Sequence, residues 1–355
     1  MIIYPFCPVL DKKESLMRFH DAGSTKRTIY EGLRRLARAP EADIEAAASA
    51  IFAPDAAYLC GHPVNQMNGV GEIANRLWKP LKRALPDLQR YDDIFMGGHF
   101  ADHDWVSATG NYFGSFERDL FGIPAHGGFA YVRFGEFYKI VEGRIVDAYV
   151  MLDFIDLMRQ SGVNPLPPAR GVETLAPGPS THDGVMLSAM PPEQGAESLR
   201  QVEAMIFEGM FGFDGVNHDT MNMDRFWDPD MMWYGPGGIG TARGLHGFMK
   251  YHEIPWNEAF PDFRGGNHKA RFGDGDYVSS TGWPSINGTH NGRELFGVPA
   301  TGRKITIRVM DWWRREGSWL TENWIFIDIP ELLLQLDYDL FARMSELAER
   351  RRGRP

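Results

Sequence analysis

The spacing of apolar residues changes twice along the chain from a helical period to strict alternation. Each half begins with apolar residues three or four positions apart, the spacing of an amphipathic helix. After Pro86-Asp87 and again after Pro261-Asp262, apolar and polar residues alternate, which is typical of strands. The predicted strands are 89–97, 105–113, 129–141 and 144–153 in the first half, and 264–272, 277–287, 304–315 and 319–328 in the second. Helices followed by a meander of long strands predict an α+β fold with a curved antiparallel sheet in each half.

The helices before each set of strands carry their own signals. The longest covers 69–85 in the first half and 245–260 in the second. Because proline lacks a backbone donor, Pro80 and Pro255 are expected to kink or break these helices at the same place. Near the start of the second half, Ser198 in a Ser-x-x-Gln sequence predicts a capping box, and hence a helix start.

The two halves are copies of one domain. The sequence Leu-Phe-Gly-x-Pro-Ala-x-Gly occurs at 120–127 and again at 295–302. Arg133 and Arg308 follow at the same offset. A repeat of this length indicates duplication of a whole domain, because the repeats of solenoids are only about 20–50 residues long.

These patterns divide the chain into five segments. They are an N-terminal extension (1–20), a first domain (21–164), a Pro/Gly-rich linker (165–195), a second domain (196–340) and a basic C-terminal tail (341–355). The prolines predict a semi-rigid linker. The arginines at the end of the chain predict a frayed, solvated tail.

Composition and charge exclude several classes of protein. Hydrophobic residues make up 43% of the chain and charged residues 24%, which is globular composition. The net charge of −10 argues against a nucleic-acid-binding protein, which needs a positive surface. Two cysteines are too few for a disulfide framework and suit a reducing cytosol. No segment approaches the roughly 20 apolar residues of a membrane span, so we predict a cytoplasmic protein without membrane contact.

The second half carries one pattern along nearly a whole domain: Asp274-Gly-Asp-Tyr-Val278, Gly288-Thr-His290, Glu294–Gly302, Trp324 and the ending Asp328-x6-Gln335. This pattern resembles the SnoaL-like polyketide cyclase family. The first half keeps Gly122-Ile-Pro124, Glu142-Gly143 and Asp153-x6-Gln160. The resemblance implies two tandem cystatin-like cone domains, the fold of nuclear transport factor two and scytalone dehydratase. In such a cone, helices cross the concave face of the sheet and leave a pocket for a small-molecule ligand.

The resemblance also implies chemistry without a cofactor, and the chain departs from the family where that chemistry is done. The family's cyclases use an Asp three residues before the Asp of the ending, and a His on the preceding strand. Val150 and Ile325 occupy the Asp position, while Glu136 and Asp311 occupy the His position. The fold hosts cyclases, isomerases, dehydratases and ester hydrolases as well as non-catalytic binding or scaffold proteins, and all of these stay open.

Glu136 and Asp311 are the candidate acid/base residues. Each is flanked by apolar or aromatic residues, and burial of a carboxyl group raises its pKa toward the range useful for proton transfer. Each could instead face outward or pair with the arginine three positions earlier, Arg133 or Arg308. His290 could orient a ligand carbonyl, or could simply support a hairpin.

The remaining candidates are pocket and loop residues. Those expected to line a ligand pocket, or to fill the core, are Trp78, Tyr149, Val150, Trp324, Ile325, Arg133 and Arg308. His99 and His103 lie in a predicted hairpin loop without a second cluster, so no metal site is expected. Asp153 and Asp328 directly follow a strand and are expected to cap the next helix. The two domains are expected to pack together as a pseudo-twofold dimer, and a homo-oligomer stays open.

Overall fold

The computed structural model describes residues 22–352. The predicted N-terminal extension (1–20) and the last three residues lie outside the described residues. The helices of the first unit are α1 Ala22–Arg38, α2 Ile44–Ser49, α3 Gly69–Ile73, α4 Lys79–Ala84 and α5 Phe154–Gln160, with a 3-10 turn at Glu41–Asp43 and a π-helical turn at Ala74–Trp78. Its strands are β1 Phe52–Cys60, β2 Gln66–Asn68, β3 Gln89–Phe100, β4 His103–Ser115, β5 Phe129–Val141 and β6 Arg144–Leu152.

The second unit repeats this order. Its α-helices are α6 Pro192–Ala204, α7 Gly244–Phe248, α8 Ile254–Ala259, α9 Ile329–Gln335 and α10 Leu340–Arg352. It has π-helical turns at Met205–Gly209 and Met249–Glu253, and 3-10 turns at Met210–Gly212, His218–Met221 and Met223–Arg225. Its strands are β7 Trp227–Tyr234, β8 Ala242–Arg243, β9 Arg264–Gly265, β10 His268–Asp274, β11 Tyr277–Thr289, β12 Lys304–Glu316 and β13 Trp319–Ile327. The α+β class and the tandem arrangement are confirmed.

Each unit is built on one sheet with the same strand order. Read from the corresponding edge, the order is β2-β1-β6-β5-β4-β3 in the first unit and β8-β7-β13-β12-β11-β10 in the second. Strand β9 also pairs with β11. The sheets are mixed, because β1 pairs in parallel with β6 and β7 in parallel with β13. The alternation rule missed β1 and β7. In β1 the exposed pair Pro54-Asp55 interrupts the alternation, at the point where the register with β6 shifts.

The helix across each sheet accommodates its proline without breaking. Of the predicted kink or break at Pro80 and Pro255, the break is absent, because the chain stays helical through both prolines. Each proline lies at the start of a helical segment that follows directly on a π-helical turn, Ala74–Trp78 in the first unit and Met249–Glu253 in the second. A wider turn of this kind absorbs a missing backbone hydrogen bond, and it is frequent at functional sites.

Two predicted chain boundaries also differ in the structure. Helix α6 begins at Pro192, and Ser198 lies inside it, where its hydroxyl donates to the Gly275 carbonyl at 2.8 Å. The segment predicted as a frayed tail is helix α10 up to residue 352. Its buried side chains are Leu340, Met344 and Ala348. A stripe of small and apolar residues four positions apart gives this helix a face that it must bury.

Helix α10 returns to the first unit. The Phe341 ring contacts the rings of His62 and Phe154, with centroids 5.4 and 6.2 Å away. Arg351 donates to the Ser161 carbonyl at 2.8 Å. The end of the chain therefore ties the two units together.

The two sheets pack against each other through their outer faces. Side chains buried between them include Met96, Phe137, Tyr149, Phe272, Met310 and Trp312. Corresponding positions meet, as at a twofold axis. The Ser107 hydroxyl donates to that of Ser279 at 2.8 Å, and the rings of Phe137 and Trp312 lie 5.1 Å apart. Lys26 and Asp274 form a buried ion pair of 2.7 Å between the units.

The close approach of the sheets depends on glycine at Gly135. A Cβ atom there would lie 2.9 Å from the Phe326 ring and 3.1 Å from Trp312. We expect Gly135→Val to lower the free energy of unfolding by about 1–3 kcal/mol, because overpacking forces these rings to move. Urea unfolding measures the effect, with Gly71→Ala as control, since no atom lies within 4 Å of a Cβ at that position. Equal stability of the Gly135 variant and the wild type would contradict this account of the interface.

Within residues 22–352, no helix is long and apolar enough to cross a membrane. The cytoplasmic location and the homo-oligomer stay predictions.

Candidate functional site

The alternation of side chains along the central strands decides which residues can line a cone. In β5, Glu136 lies on the concave face, while its neighbour Phe137 packs against the second unit. In β12, Asp311 likewise lies on the concave face, while its neighbour Trp312 packs against the first unit. Side chains that follow one another in a strand point to opposite faces, so each candidate carboxylate is held inside its own cone.

The position of the family's catalytic Asp lies beside each carboxylate. Val150 pairs with Glu136 across β5 and β6, and Ile325 pairs with Asp311 across β12 and β13. Both apolar side chains are buried in the same core cluster as the concave faces. Directly opposed residues of an antiparallel pair share a face, so the apolar residue and the carboxylate form one patch in each cone.

In the first unit the carboxylate is fully paired. Glu136 is completely buried, and it accepts hydrogen bonds from Arg90 Nη1 and from the Tyr112 hydroxyl, both at 2.7 Å. Arg90 also binds Asp92 at 2.8 Å through Nε, and its guanidinium lies 4.2 Å from the centre of the Phe134 ring. Both oxygens of Glu136 are occupied, and its partner is Arg90.

Aromatic side chains fill the rest of the first cone. Tyr58, Trp78 and Tyr138 are at most 1% exposed, and Trp78 packs edge-on against Tyr112. Burial raises the pKa of the Tyr58 and Tyr138 hydroxyls well above the ordinary value. The first cone is therefore closed by its own side chains, and Trp78 is part of its core.

The second cone has smaller or more polar residues at corresponding positions. Where the first unit has Leu77, Trp78, Ala108 and Ala148, the second has His252, Glu253, Ser280 and Asn323. These replacements exchange apolar volume for groups that donate and accept hydrogen bonds. Hydrogen-bonding groups thus replace apolar side chains at these four positions of the second cone.

Asp311 is the central carboxylate of the second cone. Its side chain keeps part of its surface exposed, whereas Glu136 has none. Asn323 donates to Asp311 Oδ1 at 3.3 Å. Among the described residues no cation lies within ion-pair distance of Asp311. The nearby Arg271 pairs with Glu203 at 3.6 Å. Burial raises the pKa of Asp311 to about 7, even though the amide of Asn323 and the charge of Arg271 act in the opposite direction.

Glu253 is a second carboxylate in this cone that the sequence analysis missed. It ends the π-helical turn before Pro255 and is 4% exposed. Asn257 donates to its Oε1 at 3.5 Å, and burial raises its pKa to about 7. A position-by-position comparison of the two units would have found it, since Trp78 occupies the corresponding place.

Two histidines accompany the carboxylates. His252 stacks on Trp233 with ring centres 4.4 Å apart, and burial lowers its pKa to about 3. His268 lies 2.6 Å from the Ser280 hydroxyl through Nε2, and burial lowers its pKa to about 3 as well. Both rings are therefore neutral at neutral pH.

His290 has a local structural role in the structure. It is fully buried in the loop after β11, where Nδ1 lies 3.3 Å from the Thr301 hydroxyl and Nε2 lies 3.2 Å from the Arg293 carbonyl. Its ring packs against Phe260. Since both ring nitrogens are used within the loop, we find no support for a role toward a ligand.

Two aromatic residues expected in the pockets lie on the opposite face of the sheets. Tyr149 contacts the rings of Trp105 and Trp283, and Trp324 donates to the Pro177 carbonyl at 2.8 Å. Each directly precedes a cone residue, Val150 or Ile325, so strand alternation turns it toward the other unit. Neither lines a cone.

The two arginines also lie on the outer faces of the sheets. Arg133 donates to the carbonyls of Tyr234 and Gly235 at 3.1 and 3.0 Å, and Arg308 binds Asp328 at 3.0 Å. The arginines lie an odd number of positions from Glu136 and Asp311 and thus on the other face of their strands. They are neither pocket residues nor partners of the candidate acid/base groups.

The expected helix caps are present, and they also join the units. Asp153 accepts from the backbone N–H of Asp156 at 3.0 Å and of Gly237 at 2.7 Å. Asp328 accepts from the backbone N–H of Glu331 at 3.4 Å and of His62 at 3.2 Å. A cavity of about 20 Å³ lies between the two caps, which is room for roughly one water molecule.

The loop histidines form no metal site. His99 Nδ1 lies 3.2 Å from Asp104, an exposed contact at the β3–β4 turn. In the part of the chain that the structure describes, no group of three or more His, Cys, Asp or Glu side chains could hold a metal ion.

The raised pKa of Asp311 predicts a pH-dependent cost in stability. Between about pH 4 and 7 the folded protein binds a proton at this carboxyl that the unfolded chain releases, so this contribution to stability falls as the pH rises through that window. We expect Asp311→Asn to be more stable than the wild type by about 1–2 kcal/mol at pH 8 and equally stable at pH 4. Urea unfolding at both pH values measures the difference. A variant less stable at pH 8 would contradict the assignment.

Comparisons with known proteins give a consistent family. The model of the SnoaL-like polyketide cyclase family matches residues 33–161 and again 213–336. The comparison with curated proteins gave no match. Among solved structures, AclR, a proposed hydroxylase from Streptomyces galilaeus, is 22% identical and aligns over 40% of this chain and 96% of its own, with a TM-score of 0.32. IdmH, a proposed polyketide cyclase from Streptomyces antibioticus, is 22% identical over 38% of this chain and 98% of its own, with a TM-score of 0.31.

Proposed function

Because the chain belongs to the SnoaL-like polyketide cyclase family, we propose that it is a cofactor-independent acid–base enzyme with its reactive site in the second cone. The observation that carries this proposal is Asp311, a recessed, partly exposed carboxylate without a cation partner among the described residues. Buried charges are normally paired. An unpaired carboxylate with a pKa of about 7 is suited to take up and release a proton near neutral pH.

The surroundings of Asp311 indicate the class of substrate. Val309, Trp313 and Ile325 belong to the apolar core around it, while Asn323 and Ser280 supply hydrogen-bonding groups. A site with apolar walls and a few polar groups suits a small, mostly apolar, oxygenated molecule. Cyclisation, isomerisation, dehydration and ester hydrolysis all require proton transfer at such a substrate.

The first unit has a supporting role in this proposal. Glu136 is held by Arg90 and Tyr112, and aromatic side chains fill the cone around it. A fully buried carboxylate whose two oxygens are bound by an arginine and a tyrosine cannot be reached by a substrate. Glu136 is therefore assigned to stability rather than to chemistry.

A second candidate function is binding without catalysis. It is favoured by Ile325, which stands where the family's cyclases carry their Asp. In that case the second cone would hold an apolar ligand, and Asp311 would bind one of its polar groups.

Crystals soaked with a mixture of aromatic ketones and short acyl esters test where a ligand binds. We expect a fragment in the second cone within hydrogen-bonding distance of Asp311, and none in the first cone. Fragments that settle only elsewhere, or no bound fragment at all, would contradict the proposed site. A fragment bound by both the wild type and Asp311→Asn, but turned over by neither, would support binding without catalysis.

A further inference from the structure

We propose that four aromatic residues on the outer face of the first sheet form an interface through which two copies of this chain associate. They are Tyr91 on β3, Phe113 on β4, and Phe129 and Tyr131 on β5, and we call them the aromatic ladder. This surface lies outside both cones, so the inference goes beyond the proposed function and does not depend on it.

The rings of the aromatic ladder form one continuous patch. Phe113 lies at its centre, with its ring centre 5.5 Å from that of Phe129, 6.2 Å from that of Tyr91 and 6.3 Å from that of Tyr131. The strand register brings the rings together, because Phe113 lies directly opposite Tyr131 and diagonal to Phe129. The patch is therefore fixed by the sheet and not by a loop.

Much of this patch is open to solvent. Phe129 is 71% exposed and Tyr91 is 60% exposed, more than any other aromatic side chain among the described residues. A contiguous exposed apolar patch marks an interaction surface, and Tyr and Phe are enriched where proteins meet.

The second unit shows that the fold does not require these rings. The four residues at the corresponding positions of its sheet, in the same order, are Gly266, Asn287, Lys304 and Thr306. None of them is aromatic, and the second sheet forms the same strand pairs. The ladder is thus a feature of one copy only, and packing within the chain does not account for it.

The ladder continues an interface that the chain already contains. Arg133 lies two positions after Tyr131 on the same face of β5, and it donates to the carbonyls of Tyr234 and Gly235 in the second unit. Exposure rises along this face from 5% at Arg133, through the half-buried Tyr131, to 71% at Phe129. The second unit covers one end of the face, and a second copy of the chain would cover the other.

Charge favours a second copy over an oppositely charged partner. No ladder residue is charged, and Arg159, which donates to the Tyr131 hydroxyl at 3.2 Å, is paired with Asp156 at 2.6 Å. A neutral patch can meet an identical patch around a twofold axis without bringing like charges together. The whole chain carries a net charge of −10, so two copies repel each other at long range, and salt screens this repulsion.

Sedimentation velocity of the full chain tests the inference, at about 5–500 µM protein and in low and high concentrations of sodium chloride. Four side chains are fewer than the roughly 20–30 residues that each partner contributes to a standard interface. We therefore expect a weak monomer–dimer equilibrium, with a Kd of about 10–100 µM that becomes tighter in high salt.

Phe129→Lys should raise this Kd at least about 10-fold, because a twofold contact then brings two like charges together. The second unit has Lys304 at the same place, so lysine is compatible with this position of the fold. Val216→Lys is the matched control, since it adds the same charge at an 84% exposed apolar residue of the second unit, and it should dimerise like the wild type. Urea unfolding checks that both variants are folded.

Three results would overturn the inference. A wild type that stays monomeric at every concentration would leave the ladder to another occupant, such as residues 1–21 of the same chain or a different protein. Dimers that Phe129→Lys leaves intact, or that Val216→Lys weakens equally, would place the contact elsewhere. Dimers that dissociate in high salt would be held by opposite charges and not by the aromatic ladder.

Discussion

Asp311→Asn is expected to slow the exchange of the α-hydrogens of 2-tetralone, a small aromatic ketone, with deuterium oxide. The expected decrease is about 10²–10⁴-fold, the range that a positioned general base contributes. The amide has nearly the same shape and keeps a hydrogen-bond acceptor for Asn323, but it cannot accept a proton from carbon. Binding of 2-tetralone should change little, because the apolar walls of the second cone are untouched. Proton NMR gives the rate, and a binding titration gives the affinity.

The control for this variant is Asp230→Asn. Asp230 is exposed on β7 and pairs loosely with Arg243 at 3.4 Å, so its replacement should leave the rate unchanged. If Asp311→Asn exchanged as fast as the wild type, Asp311 would not be the base. If binding were lost together with the rate, Asp311 would be a ligand-binding group, as the second candidate function requires.

Glu136→Gln is expected to produce the largest loss of stability and no loss of catalysis. The carboxylate pairs with Arg90 in a fully buried network, and removal of its charge leaves Asp92 as the remaining ion-pair partner of Arg90. Breaking a buried ion pair costs about 3–5 kcal/mol. We expect the lower end of this range, because Asp92 still binds Arg90 at 2.7 Å. Urea unfolding of the full chain measures the effect.

Glu72→Gln provides the comparison for Glu136→Gln. Glu72 forms an exposed ion pair with Arg76 at 3.4 Å, and such pairs contribute about 0–1 kcal/mol. At temperatures where both variants are folded, exchange of 2-tetralone should equal that of the wild type. A stable Glu136→Gln protein, or one that folds but has lost exchange, would move the reactive site to the first cone.

Local patterns in the sequence determined the duplication, the α+β class and most of the strands. These features depend on residues near one another in the chain, so alternation and turn residues are sufficient to find them. Asp153 and Asp328 were found as helix caps for the same reason, since a cap bonds to a backbone group three positions away. Strand alternation also separates Val150 from Tyr149 and Ile325 from Trp324, which cannot share a cone.

The tertiary structure decided which of the two candidate carboxylates is paired with a cation. Arg90 reaches Glu136 from another strand, and Trp78 or Glu253 comes from the helix above the sheet, so neither relation is visible as a local pattern. Helix α10 packs on the first unit for the same kind of reason: its apolar face needs a surface far away in the sequence. Charge pairing and burial depend on which side chains meet in space, and these contacts separate the closed first cone from the candidate site in the second.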